Sequence, residues 1–173
     1  MESIERYLNS FGQSVVNKSK GILKKKKKVV TGTLLNSISY TLSESKQGFT
    51  LKFLMADYGK FIDKGVSGTK KDRYYVDYKG KKRKSPFTYG KTRDGGLTRG
   101  LDKWIVMRGI APRDEKGRFI SRKSLKFLIA RKIFTQGIQG ISFFQKPLQL
   151  EMRDFYNQVG KAIKEDIENI ITT

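Results

Sequence analysis

Apolar positions over the first twenty residues recur at helical intervals. Ile4, Leu8, Phe11 and Val15 fall at spacings of four, three and four, with Tyr7 and Val16 widening the stripe, so residues 3 to about 20 are predicted as an amphipathic helix. Ser3 suits its N-cap, Glu2 and Glu5 suit its positive end, and the stripe extends through Ile22 and Leu23 into a lysine run that suits its negative end. After Thr31-Gly32 the period changes to two. Ile38, Tyr40 and Leu42 alternate in 37–43, Phe49, Leu51, Phe53 and Met55 alternate in 49–55, and the turn residues 44–48 join them as a hairpin. Helical spacing returns in 57–68, where Tyr58, Phe61 and Ile62 share a face expected to pin this helix to the sheet, with Gly65 as C-cap. Two further helices are predicted at 97–110 and 121–134, then a short late strand through Ile141, Phe143 and Phe144. A long final helix from about Gln149 carries Met152, Phe155, Val159, Ile163, Ile167 and Ile170.

These elements define an α+β fold: a small antiparallel sheet, the hairpin plus the late strand, packed against long N- and C-terminal helices. At 173 residues the chain is expected to form one domain over 1–173. Residues 68–137 read as a basic, partly helical insertion within it. Its first part, 69–96, sets ten lysines and arginines against three aspartates and reads as a long exposed loop or a loosely held β excursion.

Charge changes the picture more than length does. Lys plus Arg outnumber Asp plus Glu by 37 to 16, a net charge of +21, which calls for a polyanionic or acidic partner. The excess is uneven: residues 1–28 carry eight bases and two acids, whereas 150–173 carry five acids and three bases. In a ring, an acidic helix of one subunit could then meet a basic face of the next. The chain has no cysteine and no histidine, which removes disulfides, thiol nucleophiles and imidazole acid–base chemistry. No segment reaches the ~18 apolar residues of a membrane span, and the polar, acid-bearing start MESIERYLNSFG is unlike a signal peptide. The expectation is a soluble intracellular product.

Candidate chemistry is thin. Glu44-Ser45-Lys46 has the acid-x-lysine form of a metal-dependent nuclease, yet it falls in the hairpin turn without a partner carboxylate. Asp57 and Asp63 are six residues apart on a helix and face differently. Gly90-Lys91-Thr92 mimics the tail of a phosphate loop, but Ser85 stands where that loop needs glycine. No enzyme is expected, and no cofactor or metal. Two cationic segments are stronger candidates for contact with DNA or an acidic partner. One is the run Lys24, Lys25, Lys26, Lys27 and Lys28. The other interleaves cations with aromatics: Arg73, Tyr74, Tyr75, Lys81, Lys82, Arg83 and Lys84. There tyrosines could stack on bases while cations neutralise phosphates.

One pattern goes beyond composition. Thr31, Gly32, Leu34, Ser37 and Ile38 spell T-G-x-L-x-x-S-I ahead of the hairpin, followed by Tyr58, Phe61, Ile62 and Gly65, and later by Phe143, Phe144, Pro147 and Leu148. The chain thereby resembles the tail-completion, or head–tail joining, proteins of tailed bacteriophages over residues 1–67 and 138–173. Asp63 stands where their pattern has glutamate, and Val66-Ser67 where it has Gly-Thr. The resemblance implies a non-catalytic virion protein, made in the host bacterial cytoplasm. It implies a homo-oligomeric neck ring at the junction of portal and tail, around the channel for double-stranded DNA, touching other portal, neck or tail proteins. The motif residues would then be structural. The alternative is a non-specific nucleic-acid-binding protein, DNA-organising or ribosome-associated.

Overall fold

A computed structural model describes residues 2–29, 31–89 and 96–172, with side chains from 101 onward in the last segment. Among these, the fold is α+β: seven helices, with long ones at each end, and two antiparallel sheets of two strands. The Gly90-Lys91-Thr92 stretch lies outside the described residues.

Helix α1 (Glu2–Lys25) follows the predicted stripe, burying Leu8, Phe11, Val15, Val16 and Leu23. A single turn of helix, α2 (Thr33–Ser37), then precedes the hairpin of β1 (Ser39–Ser45) and β2 (Gly48–Leu54). The expected strand start at 37 is displaced because Ser37 closes this turn: its hydroxyl donates to the Leu34 carbonyl and accepts from the Ala56 amide, at 2.9 and 3.0 Å. Tyr40 and Leu42 on β1, with Phe49, Leu51 and Phe53 on β2, are the more buried of each alternation. One sheet face thus packs on α1, where the Tyr40 ring lies so close to Gly12 that a Cβ there would stand 2.6 Å from it.

Helix α3 (Gly59–Lys64) turns its expected face the other way. Tyr58 and Phe61 are exposed, while Gly59 and Asp63 are buried. Leu34 and Met55 lie so close to Gly59 that a Cβ there would stand 2.9 Å from each side chain. Phe61 instead meets Phe87 edge-on at 4.7 Å, and only Ile62 reaches the core.

The insertion holds the second hairpin, β3 (Tyr74–Val76) with β4 (Lys82–Lys84), then α4 (Gly96–Met107) and α5 (Arg122–Gln136). The first of these gives ordered β structure to part of 69–96. Both helices fall close to their predicted spans, with Ser121 capping α5 by accepting from the Ser124 amide.

The insertion leaves and returns through one narrow crossing. Val66 and Ile138 exchange both backbone hydrogen bonds, at 2.9 and 2.8 Å, and Thr69 and Lys70 donate to the carbonyls of Phe134 and Thr135. Glycines make this contact possible. A Cβ on Gly137 would stand 2.1 Å from the Val66 carbonyl oxygen, one on Gly68 2.3 Å from that of Thr135, and Gly137 holds φ +70.

The late strand is not present. The Ile141 and Ser142 amides donate to the carbonyls of Ile62 and Asp63, at 3.1 and 3.0 Å, so this segment is bound to the end of α3 and not to a sheet edge. Phe143 and Phe144 open α6 (Gln145–Glu151), and Pro147 sits buried in its first turn, where its missing N–H is no loss. The single predicted C-terminal helix is two, because a turn at 152–154 interrupts it before α7 (Phe155–Ile171). Asp154 opens α7 and accepts from the side chains of Asn157 and Gln158.

The core centres on Phe143, which has no exposed surface, with Val16, Leu23, Leu34 and Ile38. Two substitutions test the packing of glycines by urea denaturation. Gly137→Ala loses about 2–4 kcal/mol, because both its backbone angle and its neighbours exclude a Cβ. Gly21→Ala, on an open stretch of α1, gains roughly 0.5–1 kcal/mol from helix propensity.

Candidate nucleic-acid and partner interface

The lysine run ends α1. Lys28 donates its amide to the Leu23 carbonyl at 3.1 Å and Lys27 donates to that of Lys24 at 3.0 Å, while Lys27 takes φ 51. This is the Schellman arrangement, with lysine in the left-handed seat that glycine fills most readily. All five side chains, Lys24 to Lys28, are exposed.

Beside them lies a cavity of about 390 Å³. Leu23, Val29, Leu34, Ile62, Tyr58 and Trp104 line it; Lys27, Lys28 and Arg108 add cations, and among the described residues no carboxylate lines it. Thr31 and Gly32 line it too; Gly32 takes φ 78 to enter α2 and the Thr31 and Thr33 hydroxyls bond at 2.9 Å. Arg108 reaches across from α4 and donates to the Lys27 carbonyl at 2.6 Å. Sequence reasoning gave Trp104 and Arg108 no role. No local signal could have done so, since the contact spans 81 residues.

The second cationic segment is differently employed. Arg73 turns inward, donating to the Gln136 carbonyl at 2.7 Å and to the Gln139 side chain, and so braces the crossing. Arg83 pairs with Asp77 at 2.9 Å and Lys84 with Asp72 at 2.8 Å. Asp77, which also accepts from the amides of Lys79 and Lys81, has its carboxyl held below the usual range first by the Arg83 hydrogen bond. The tyrosine rings are occupied as well: Lys82 stands 5.0 Å over Tyr74, Lys64 5.7 Å over Tyr75 and Lys79 5.7 Å over Tyr78. Lys81 extends into solvent. Each of these rings already carries a lysine and two of the cations are paired with aspartates, so the wholly exposed lysine run is the more available cationic surface.

The carboxylates weighed for catalysis are dispersed. Glu44 is exposed on β1 opposite Phe49, and Asp57 is exposed ahead of α3. Asp63 is buried and accepts from the Phe144 amide at 2.8 Å, joining α3 to the start of α6; burial raises its pKa, against the pull of the Phe144 and Gln145 amides. Among the described residues no three His, Cys, Asp or Glu side chains converge on a metal-sized site. Nor is any described helix long and apolar enough to cross a membrane.

The opposite end of α1 has the opposite character. α7 runs antiparallel to it: Phe155 meets Phe11 edge-on at 4.9 Å, and Asp166 accepts from the amides of Ser3 and Ile4 at 2.9 and 3.2 Å. Glu2 and Glu5 open α1 where Asp166 meets it, while Glu168 pairs with Lys164 one turn away on α7. Those two amide hydrogen bonds, Ser3 first, hold the Asp166 carboxyl below the usual range.

No protein-family model matches the chain, and no curated protein or solved structure matches it.

Two predictions follow from the ends of α1. Lys27→Gly raises stability by roughly 0.5–1 kcal/mol in urea, by relieving the left-handed seat. Asp166→Asn lowers the melting temperature at pH 7. Because the folded carboxyl titrates below its unfolded value, the gap to the parent closes as pH falls below about 4, through the folded pKa.

Proposed function

We propose that the chain is a structural, non-catalytic component of a tailed-phage neck, a ring at the portal–tail junction through which double-stranded DNA passes. One observation carries this. The three stretches that resemble tail-completion proteins lie far apart in sequence, yet Leu34 and Ile38 of the first, Ile62 of the second and Phe143 and Phe144 of the third pack into one core. That convergence supports treating them as one structural motif with the insertion added to it. Two more of the resembling residues serve packing, Gly65 abutting Gly140 backbone to backbone and Pro147 buried in α6, whereas Tyr58 and Phe61 are exposed. The exposed cations would meet the DNA backbone without sequence preference.

A second reading, a non-specific nucleic-acid-binding protein acting outside a particle, draws on the exposed lysine run and the net charge of +21. Negative-stain imaging with light scattering, alone and with short duplex DNA, separates the two. Closed rings support the neck component. A monomer that binds duplexes of any sequence, with affinity falling steeply as salt rises, supports the second reading and overturns the first.

A further inference from the structure

The cavity at the end of α1 is assembled from distant parts of the chain. Leu23, Leu34 and Ile62 line it from the body of the fold, and Trp104 and Arg108 from α4 of the insertion. Leu23 is 1% and Leu34 7% exposed, so an apolar group entering there continues the packing of the core. Tyr58 and Trp104 line it too, yet they are 42% and 37% exposed. Tyrosine, tryptophan and arginine around an apolar pocket are the residue types that dominate binding energy between proteins. Its cations are also distinct. Lys27 and Lys28 line the cavity while Lys24, Lys25 and Lys26 do not, so the lysine run is divided between two surfaces. Arg108 donates to the Lys27 carbonyl, and among the described residues no carboxylate pairs with Arg108, Lys27 or Lys28.

We propose that this cavity docks an acidic segment of another protein, one that places a large apolar side chain inside it and a carboxylate against Arg108 and the two lysines. Each component of that ligand answers something in the site. The volume of about 390 Å³ lies at the small end of the range of about 300–1,000 Å³ for ligand pockets, which fits an anchoring side chain. A guanidinium and two ammonium groups without a paired acid call for a carboxylate, which arginine can hold through two parallel bonds. Duplex DNA would meet the cations through its phosphates, but its sugar–phosphate surface has no apolar group to fill the cavity. A second copy fits no better through α7, where the exposed Ile163 is followed by Lys164 and Asp166 is already taken by the Ser3 and Ile4 amides. Lys24, Lys25 and Lys26 stay exposed to a polyanion. The site stands on the cavity alone, whether or not the chain forms a ring, and so goes beyond the neck reading.

Trp104 is the single tryptophan of the chain, so its fluorescence reports on the cavity it lines. The probes are end-capped peptides of sequence DDLFDD, NNLFNN and DDSSDD, together with octanoate and a short DNA duplex. DDLFDD is expected to move the Trp104 emission to shorter wavelength with saturation. NNLFNN and DDSSDD, each lacking one component, bind at least about tenfold more weakly. Arg108→Gln weakens DDLFDD about tenfold, whereas K24Q/K25Q, outside the cavity, changes it by less than about threefold. The peptide comparison uses the parent chain, so it decides even where a variant folds poorly. Equal binding of DDSSDD reduces the contact to bulk charge, equal binding of NNLFNN removes the acid, and a Trp104 signal that no peptide moves removes the site. Each of these overturns the proposal. Octanoate binding as tightly as DDLFDD assigns the cavity to a small carboxylate, and a duplex that displaces DDLFDD with its own Trp104 shift assigns it to nucleic acid; both overturn the protein partner. None of these outcomes alters whether the chain forms rings, which imaging decides separately.

Discussion

Where residues 65–68 pass residues 137–140, two stretches of backbone touch with nothing between them, and much of the molecule is arranged by that approach. The crossing brings the end of α3 beside the segment leading into α6. It is what lets Asp63 reach the Phe144 amide and Ile62 the amide of Ile141. Phe143 is then delivered to the centre of the core, against residues from α1, α2 and α3. The insertion begins and ends at the same place, so its seventy or so residues hang from one short ladder of hydrogen bonds, and Arg73 reinforces that ladder from inside the insertion. Side chains at these glycines would hold the strands apart and shift everything downstream of them.

The N-terminal and C-terminal halves meet a second time along α1, and there the joining is of a different kind. Rings do the packing at the middle, where Tyr7, Phe11 and Phe155 stand 4.9 to 6.4 Å apart. Charge-assisted bonds fix the two ends. Asp166 satisfies amide donors that the first turn of α1 would otherwise leave open, and Ser14 and Lys18 meet Glu151 of α6. Register between the helices is thus set by polar groups at both ends of an aromatic contact.

Much of the fold could be read along the chain, and the failures have a common physical origin. The α1 stripe and the alternating hairpin were legible because each packs on one side only, so burial and periodicity agree. In α7 they do not. Apolar residues at 155, 159, 163 and 167 advance by four, which carries each about 40° further round the helix, so Ile163 and Ile167 drift outward while Ala162 and Asp166 take the inner positions. Around α3, a glycine and an aspartate are buried while a tyrosine and a phenylalanine are exposed, because the space is decided by Leu34, Met55 and an amide eighty residues away. The cavity beside the lysine run was illegible for the same reason, since Trp104 and Arg108 reach it from a distant helix. In the tyrosine-rich segment composition named the right residue types, but pairing within the fold neutralises several of them.

The distribution of charge along α1 gives the molecule an electrical direction. Glutamates lie at the end where the helix dipole is positive and lysines at the end where it is negative, so each end is locally stabilised. Over the length of the helix, however, the side-chain charges greatly exceed the fractional charges of that dipole and reverse its sign at long range. Near any polyanion the lysine end of α1 would be drawn in ahead of its glutamate end, and that pull would fade as added salt shortens the Debye length from about 8–10 Å.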